Sequence, residues 1–372
     1  MEKPINYRPT KAIIDLQAIE HNLISLRQYI GKDIQIIAVV KANAYGHGDV
    51  EVARTAIQAG ATMLAVATPD EAVHMRGNFK DIDILVLGAT PPNFAPYASQ
   101  ENIILTVFST SWIETVKQYI PLANQLKLHI KVDSGMGRIG VSTKEDLLEL
   151  YEAIVMSNDF ILDGIFTHFA TADEEDSLYF DNQVTLFKDF LSVLPKRPRL
   201  VHVANTATTL VKEPSLQYDA VRFGISMYGL LPSSFVGSKM PFPIKPAFSL
   251  HTELIHIKKM HAGQSVGYGA TYTLEEDCYI GTIPIGYADG MLRKLEGQEV
   301  LVGGKKAKIV GRICMDQSMI LLPTAYNVGE EVVLIGRQQH EQITMDDWAT
   351  KLQTINYEIP CVITARVPRV YK

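Results

Sequence analysis

The sequence has 372 residues, of which 47% are hydrophobic and 20% are charged, an ordinary composition for a globular protein of about two domains. Its formal net charge of -6 argues against a nucleic-acid partner held through phosphates, and we find no signal segment and no apolar run long enough to span a membrane. Three scattered cysteines without paired spacing are typical of a reducing compartment, so we expect a cytoplasmic protein.

Short β-branched runs alternate with helical stretches from about residue 15 to residue 230. Asp15 can cap the first helix, whose apolar residues recur at the spacing of one helical face. Such alternation predicts an α/β fold whose parallel strands close into an N-terminal (β/α)8 TIM barrel. An open doubly wound sheet is the alternative, although no glycine-rich dinucleotide fingerprint opens the first helix after a strand. The eight predicted strands cover residues 34–40, 63–67, 84–87, 103–107, 126–132, 162–168, 200–204 and 220–223.

The pattern changes after Leu230. The next 17 residues, LPSSFVGSKMPFPIKPA, are rich in proline, serine and glycine and indicate a linker. Beyond them the hydrophobic period becomes two, which predicts short antiparallel strands, with one helix at MDDWATKL. We therefore expect a barrel domain over residues 12–240 and a mostly β C-terminal domain over residues 241–372, with residues 1–11 as a candidate addition to it.

Lys41 directly follows the first barrel strand, in the segment VVKANAYGHG. The carboxyl ends of barrel strands form the active-site mouth, where apolar walls favour the neutral amine that attacks a carbonyl group. A solvated lysine at the end of a strand is the alternative interpretation.

The fifth strand places Lys127, His129 and Lys131 on the face opposite to its apolar residues. Because helices cover the outside of a barrel, these polar side chains should face the lumen, where buried lysines need partners or modification. A frayed strand whose lysines reach solvent is the alternative. Arg138, past the glycine-rich turn that follows, carries a planar fork suited to a phenolate, carboxylate or phosphate.

More polar residues follow the last three barrel strands. The loops after the seventh and eighth strands are the usual phosphate site of a TIM barrel, and here they offer the hydroxyl of Thr206 and the accessible backbone of Gly224. The histidines lack the spacing and acidic companions of a metal site, so no metal is predicted, and a hydrogen-bonded core histidine is the alternative for each. The set comprises His168, His202, Asn205, Thr206, Arg222, Gly224 and Ile225.

Nearly the whole chain resembles the fold-type III alanine racemases, through an ordered series of motifs. The resemblance implies pyridoxal 5'-phosphate as the cofactor, a TIM barrel and a β domain assembled in a head-to-tail homodimer, and racemisation of alanine by two bases to supply D-alanine for bacterial peptidoglycan. The motifs are AVVKANAYGHG, KVDSGMGRIG, THFATAD, HVANTAT, VRFGISMYG, VGYGATY, IPIGYADG, GRICMDQ and INYEIPC.

The resemblance also implies roles for individual residues. Lys41 matches the lysine that holds the cofactor as a Schiff base, and Tyr268 matches the opposing base, which a second subunit inserts into the site; the residue pattern alone does not single out Tyr268. Arg222 matches the arginine that faces the pyridine nitrogen, with His202 behind it. His168 matches the neighbour of Tyr268.

Other matches concern the phosphate, the substrate and the entrance. Arg138 matches an arginine near the cofactor phenolate, and Lys131 corresponds to a lysine that is carbamylated in many members. The phosphate-holding positions are Tyr45, Thr206, Gly224, Ile225 and Tyr357, with Asn205 beside them. Met315 and Asp316 match substrate-carboxylate and entrance positions that come from the second subunit, and Arg138 is also predicted to bind substrate. The entry region contains Tyr287, Arg293 and Arg312.

Alternatives on the same scaffold stay open. The nearest is a serine or broad-specificity racemase, although Met315 and Tyr357 should crowd the pocket in favour of a methyl group. A protein that binds pyridoxal phosphate for homeostasis and catalyses nothing would lack the β domain and Tyr268. A basic amino-acid decarboxylase would carry a carboxylate in place of Arg222.

Overall fold

The structure, a computed structural model, describes residues 7–372, which divide into two compact units. The barrel unit comprises Ala18–Ala44 and Asp49–Lys245. The sheet unit comprises the described residues up to Gln17, with Tyr45–Gly48 and Pro246–Lys372. Within residues 7–372, none of the helices combines the length and the apolar character that a membrane crossing requires.

The first strand, β1 (Lys11–Ile14), belongs to the sheet unit, where it pairs with strands that begin more than 230 residues further along the chain. Residues 12–14, predicted from the sequence to belong to the barrel domain, therefore lie in a strand of the sheet unit. A local pattern does not reveal a partner this distant. Of the residues considered as an addition to the second domain, 1–6 lie outside the described residues.

The barrel unit contains eight parallel strands in one sheet, ordered β8-β7-β6-β5-β4-β3-β2-β9. Backbone hydrogen bonds from Asp219 N to Val201 O (3.1 Å) and from Arg222 N to Ala204 O (2.9 Å) join its two ends. The predicted TIM barrel is therefore confirmed, and every predicted strand lies within two residues of its observed ends. These strands are β2 (Gln35–Val39), β3 (Met63–Val66), β4 (Asp83–Val86), β5 (Ile103–Val107), β6 (Leu126–Lys131), β7 (Phe160–Phe166), β8 (Leu200–His202) and β9 (Ala220–Phe223).

Helices lie between the barrel strands, and their caps follow from local side chains: Thr68, Ser109 and Thr143 each accept a hydrogen bond from a first-turn amide. The predicted linker contains a short helix whose Val236 is buried. The helices are α1 (Leu16–Ile30), α2 (Asp49–Gln58), α3 (Pro69–Asn78), α4 (Ala95–Gln100), α5 (Thr110–Val116), α6 (Lys144–Val155), α7 (Leu178–Ser192), α8 (Thr206–Val211) and α9 (Ser234–Ser238).

The sheet unit is mostly β, as predicted. Its main sheet has ten strands, in the order β11-β14-β17-β16-β15-β18-β10-β1-β20 with β19 beside β18, and β12 and β13 form a separate hairpin. The helix predicted at MDDWATKL is α10 (Met345–Leu352), and α11 is Glu358–Val362. The strands are β10 (Phe248–Glu253), β11 (His256–Met260), β12 (Ser265–Val266), β13 (Tyr272–Thr273), β14 (Cys278–Ile283), β15 (Glu299–Val302), β16 (Lys305–Val310), β17 (Ser318–Leu322), β18 (Glu331–Gln338), β19 (Glu341–Ile343) and β20 (Arg369–Tyr371).

Candidate active site

Lys41 follows β2 at the carboxyl end of the barrel and begins a left-handed turn over Lys41–Tyr45. The backbone φ angle is 52° or 53° at each of the four residues after the lysine. For residues other than glycine this conformation costs roughly 1–2 kcal/mol each, so the turn requires contacts that define it. Ala44 N donates to Val40 O at 2.9 Å, and Asn43 Oδ1 accepts from Asp49 N at 3.0 Å.

Glu71 lies at the beginning of α3, the helix that follows β3, and supports the left-handed turn after Lys41. Its Oε1 accepts from Ala42 N and its Oε2 from Ala67 N, both at 2.7 Å. One carboxylate thus links the ends of β2 and β3 directly behind Lys41. Glu71 was not predicted as a site residue, because nothing in the sequence distinguishes it from a first-turn acid that interacts favourably with the helix dipole.

Arg222, on β9, lies in the lumen with 4% of its surface exposed. Its Nη1 donates to the carbonyl oxygen of His202 at 2.6 Å and to Nδ1 of the same residue at 3.0 Å. Its Nη2 donates to Thr167 O (2.8 Å) and Val203 O (3.0 Å), and lies 3.3 Å from His168 Nδ1. Within residues 7–372 these are the partners of the guanidinium, so its Nε–H donor remains for another group.

Positive charge accumulates around His168. Burial lowers the pKa of His168 well below its ordinary value, and the charges of Arg222, Arg138, Lys131 and Lys41 lower it further. The structure therefore brings together five of the residues predicted from the sequence. Because the histidine is held neutral between cations, the mouth of the barrel is suited to an anionic occupant.

Lys131 shows that the fifth predicted strand, β6, does carry charge into the lumen. It is 2% exposed, its Nζ donates to Val132 O at 3.0 Å, and the ring of Phe166 lies 5.4 Å away. Burial lowers the pKa of Lys131 to about 7, and Arg222 adds to the effect. Lys127 is also paired within β6, so the strand is not frayed there. Its side chain is half-buried, with Nζ 3.4 Å from Asp83 Oδ1.

The loops after β8 and β9 meet at the predicted phosphate positions. Gly224 N donates to the hydroxyl of Thr206 at 3.0 Å, and Ile225 begins a buried 3-10 turn. Tyr228, at the end of that turn, donates from its hydroxyl to Val39 O at 2.8 Å, which ties the loop to the strand that carries Lys41. Asn205 instead caps α8, with its Oδ1 accepting from the amide and hydroxyl of Thr208 at 3.0 Å each.

In the sheet unit, Tyr268 lies on a 3-10 turn between β12 and β13 with 71% of its surface exposed. Gly269, the next residue, has φ +74°, and a Cβ there would approach Arg312 Nη1 to 3.1 Å. Tyr268 and Arg312, predicted from distant segments, are therefore neighbours. Arg293 begins a 3-10 turn elsewhere in the unit.

Tyr287, Met315 and Asp316 are also brought together. Tyr287 N donates to Cys314 O and Ala288 N donates to Met315 O, both at 3.0 Å. Asp316 Oδ1 accepts from Arg366 Nη2 at 2.7 Å, an arginine that the sequence analysis missed.

Tyr45 and Tyr357 lie together in the sheet unit, with ring centroids 6.2 Å apart. The neighbouring Gly46 has φ +79°, and a Cβ there would come within 2.0 Å of Pro360 O. Only glycine fits this approach.

Two family models match the chain: "Alanine racemase, N-terminal domain" over residues 14–232 and "Alanine racemase, C-terminal domain" over residues 247–371. The chain belongs to the alanine racemase family. The alanine racemase of Anoxybacillus flavithermus is 53% identical over 373 residues, covering 100% of this chain and 96% of that protein.

Solved structures of racemases are similar to this chain over nearly its whole length. A crystal structure of alanine racemase from Bacillus anthracis with bound L-Ala-P has a TM-score of 0.95 and 43% identity, covering 99% of this chain and 96% of that chain. A histidine racemase from Leuconostoc mesenteroides subsp. sake has a TM-score of 0.93 and 34% identity, covering 99% of both chains. One fold is thus shared by proteins named for two substrates.

Alanine racemases depend on pyridoxal phosphate, and the residues of the barrel unit fit that group. Lys41 supplies an amine at a strand end, and the joined Thr206 and Gly224 supply a hydroxyl beside a backbone loop. The Nε–H of Arg222 suits an acceptor such as a pyridine nitrogen.

Proposed function

We propose that this chain interconverts L-alanine and D-alanine with pyridoxal phosphate and supplies D-alanine for bacterial peptidoglycan. The observation that carries the proposal is the placement of Lys41 after β2 in the same barrel as Arg222, whose Nη2 lies 3.3 Å from His168 Nδ1. A family whose members are named for this reaction supports it.

The cofactor, when bound, supplies the electron sink that makes the α-proton of an amino acid acidic. Lys41 would hold it through the amine, and Thr206, Gly224 and Ile225 would hold the phosphate. The family resemblance adds Tyr45 and Tyr357 as phosphate positions. Arg222 would offer its Nε–H to the ring nitrogen. Burial and the charge of Arg138 lower the pKa of Arg222 to about 9, so it keeps its proton at neutral pH and limits electron withdrawal. Decarboxylation and transamination are thereby disfavoured.

Racemisation requires proton removal on one face of the α-carbon and proton return on the other. Lys41 Nζ serves the face of D-alanine, and the Tyr268 hydroxyl from a second copy of the chain serves the face of L-alanine. The exposure of Tyr268 supports this assignment, because a ring that protrudes from its own chain is available to another. Arg138 of one chain orients the substrate carboxylate together with Met315 and Asp316 of the second copy, and Tyr287, Arg293 and Arg312 line the entrance.

We propose a homodimer in which each barrel receives Tyr268 from the other chain. The three cysteines, Cys278, Cys314 and Cys361, form no disulfide among the described residues, which supports a place in the cytoplasm.

The proposal is tested by purifying the protein, looking for a visible chromophore that borohydride removes, and following D-alanine formation from L-alanine. Serine, histidine, lysine and arginine belong in the substrate panel, histidine because a histidine racemase shares the fold. We expect alanine to be turned over fastest. Equal or faster turnover of another amino acid would overturn the assignment of the substrate.

Replacing Thr206 with valine is expected to weaken cofactor binding about tenfold or more, because a hydrogen bond to a charged group contributes about 1.5–3 kcal/mol. The measurement is a titration of the apoprotein with pyridoxal phosphate. Thr209→Val is the matched control, since Thr209 is also buried in α8 but donates to Asn205 O at 2.7 Å. Equal losses in the two variants would contradict the role of Thr206.

We further propose that Lys131 carries a carbamate. The neutral amine attacks carbon dioxide, an N–C bond forms, one C=O bond becomes C–O⁻, and one proton is released. The resulting anion lies near the guanidinium groups of Arg138 and Arg222. It replaces a buried ammonium group that would lack a carboxylate partner with an anion that can pair with these arginines.

We expect a carbamate signal in ¹³C NMR after exposure to ¹³C-bicarbonate, absent in Lys131→Met and kept in Lys127→Met. Since a pKa of about 7 leaves less neutral amine at lower pH, the labelling should fall as the pH drops below 7. Equal signals from wild type and Lys131→Met would exclude a carbamate at this position.

A further inference from the structure

A chain of hydrogen bonds runs through the lumen from Arg222 to an acid that the mechanism does not use. His202 Nδ1 receives the bond from Arg222 Nη1, and His202 Nε2 lies 2.9 Å from His129 Nδ1. His129 Nε2 lies 3.0 Å from Asp163 Oδ2. The carboxylate of Asp163 also accepts two hydrogen bonds from Arg199, at 2.7 and 2.8 Å.

Two features of the strands allow the hydrogen-bonded side chains of Asp163 and His129 to lie in the lumen. The register between β6 and β7 shifts from Leu128–Leu162 to His129–Gly164, so Asp163 is the extra residue of a bulge. Bulges redirect side chains, and this carboxylate is directed toward His129. Gly164 leaves room for the imidazole, because a Cβ there would lie 2.7 Å from the His129 ring.

The two ends of this hydrogen-bonded series, Arg222 and Asp163, determine which ring nitrogens of the two histidines carry protons. A guanidinium only donates, so His202 Nδ1 must accept and the proton of His202 must be on Nε2. That proton is donated to His129 Nδ1, which places the proton of His129 on Nε2 as well. An ionised Asp163 accepts it. Both histidines are fully buried, and burial lowers the pKa of each, so neutral rings are expected.

Asp163 is suited to the acceptor end. Burial alone raises the pKa of a carboxyl group, but the hydrogen bonds from His129 and Arg199 outweigh burial and keep the pKa of Asp163 low. Arg199 directly precedes β8 and is half-exposed, and it donates both hydrogen bonds to the carboxylate from the solvent side. With the acid held ionised, each imidazole has a single tautomer that satisfies both of its neighbours.

We propose that Asp163 is a positioning residue for the reaction: through His129 and His202 it fixes the tautomers that accept from Arg222, and so orients the guanidinium. This inference rests on the proposed role of Arg222 toward the cofactor ring. Asp163 touches neither substrate nor cofactor and acts only through the two histidines. Carboxylates that orient a functional histidine from behind typically contribute about 10–100-fold to activity.

The test begins with the wild-type holoenzyme labelled with ¹⁵N in its histidine rings. The ¹⁵N shifts of His129 and His202, assigned by their loss in His129→Asn and His202→Asn, should show a protonated Nε2 and an unprotonated Nδ1 in both rings. A protonated Nδ1, or a cationic ring, at either residue would overturn the proposal without bearing on racemisation itself. This arm requires no Asp163 variant to fold.

The second arm uses Asp163→Asn, whose amide carries a donor in place of one oxygen and so cannot accept all three hydrogen bonds from His129 and Arg199. We expect mixed tautomers at His129 and a kcat for alanine about tenfold lower. KM should be unchanged, because none of the hydrogen-bonded residues from Asp163 to His202 contacts the substrate. Asp83→Asn is the control, an acid on β4 that is paired with Lys127, and should change neither tautomers nor kcat. An unchanged kcat in folded Asp163→Asn would overturn the positioning role while leaving the alanine racemase activity in place.

Discussion

Replacing Lys41 with alanine is expected to reduce racemisation to background. The substitution removes the amine that anchors the cofactor and the base that serves the face of D-alanine, and no other described lysine follows β2 at the barrel mouth. The measurement is D-alanine formation from L-alanine, coupled to a D-amino-acid oxidase, with the borohydride-sensitive chromophore recorded in parallel.

Lys127→Ala is the control for Lys41→Ala, since Lys127 belongs to the same barrel but is half-buried and paired with Asp83. Activity near that of the wild type is expected there. A small primary amine added to Lys41→Ala should restore part of the lost activity, because it replaces the missing base. Undiminished turnover by Lys41→Ala would refute the anchor assignment.

Replacing Tyr268 with phenylalanine is expected to slow racemisation about 10²–10⁴-fold, the usual contribution of a positioned acid or base. The two enantiomers of alanine have equal free energies, so net conversion must slow equally in both directions. The asymmetry appears instead in exchange of the α-hydrogen with D₂O without inversion. D-Alanine should still exchange through Lys41, whereas L-alanine should not.

Tyr272→Phe is the matched control for Tyr268→Phe. Tyr272 lies four residues further along the same hairpin and packs against a cluster that contains Met260 and Val266. It should keep both activity and exchange. If Tyr268→Phe lost exchange equally from both enantiomers, the assignment of one base to each face would fail.

Much of the barrel could be predicted from the sequence because its signals are local. Each strand is a short apolar run between helices, and α10 begins where Thr344 and Asp347 form a capping box. β1 was assigned to the wrong unit because strand pairing with β10 and β20 depends on residues far along the chain. Hydrophobic period describes a strand but not its partner.

The site shows the same division between local and distant information. Lys41, Arg222 and Thr206 could be placed at the mouth because strand ends meet there in a closed barrel. Glu71 and Asp163 could not, since each acts through a partner that the sequence leaves undefined. The bulge at Asp163 shifts the alternation of β7 by one residue, so counting inward and outward positions gives no sign that this carboxylate enters the lumen.

The left-handed turn after Lys41 affects which substitutions this segment can tolerate. Ala42 and Ala44 have no functional group, yet a β-branched residue at either position would clash with its own backbone at φ near 53°. Glycine would relieve the strain, but it would also multiply the conformations open to the unfolded segment and loosen the lysine's support. Loss of activity on substitution of Ala42 or Ala44 would therefore reflect their left-handed backbone conformation and not a catalytic role. A mutational scan that assigns every intolerant position to catalysis would count too many catalytic residues in this segment.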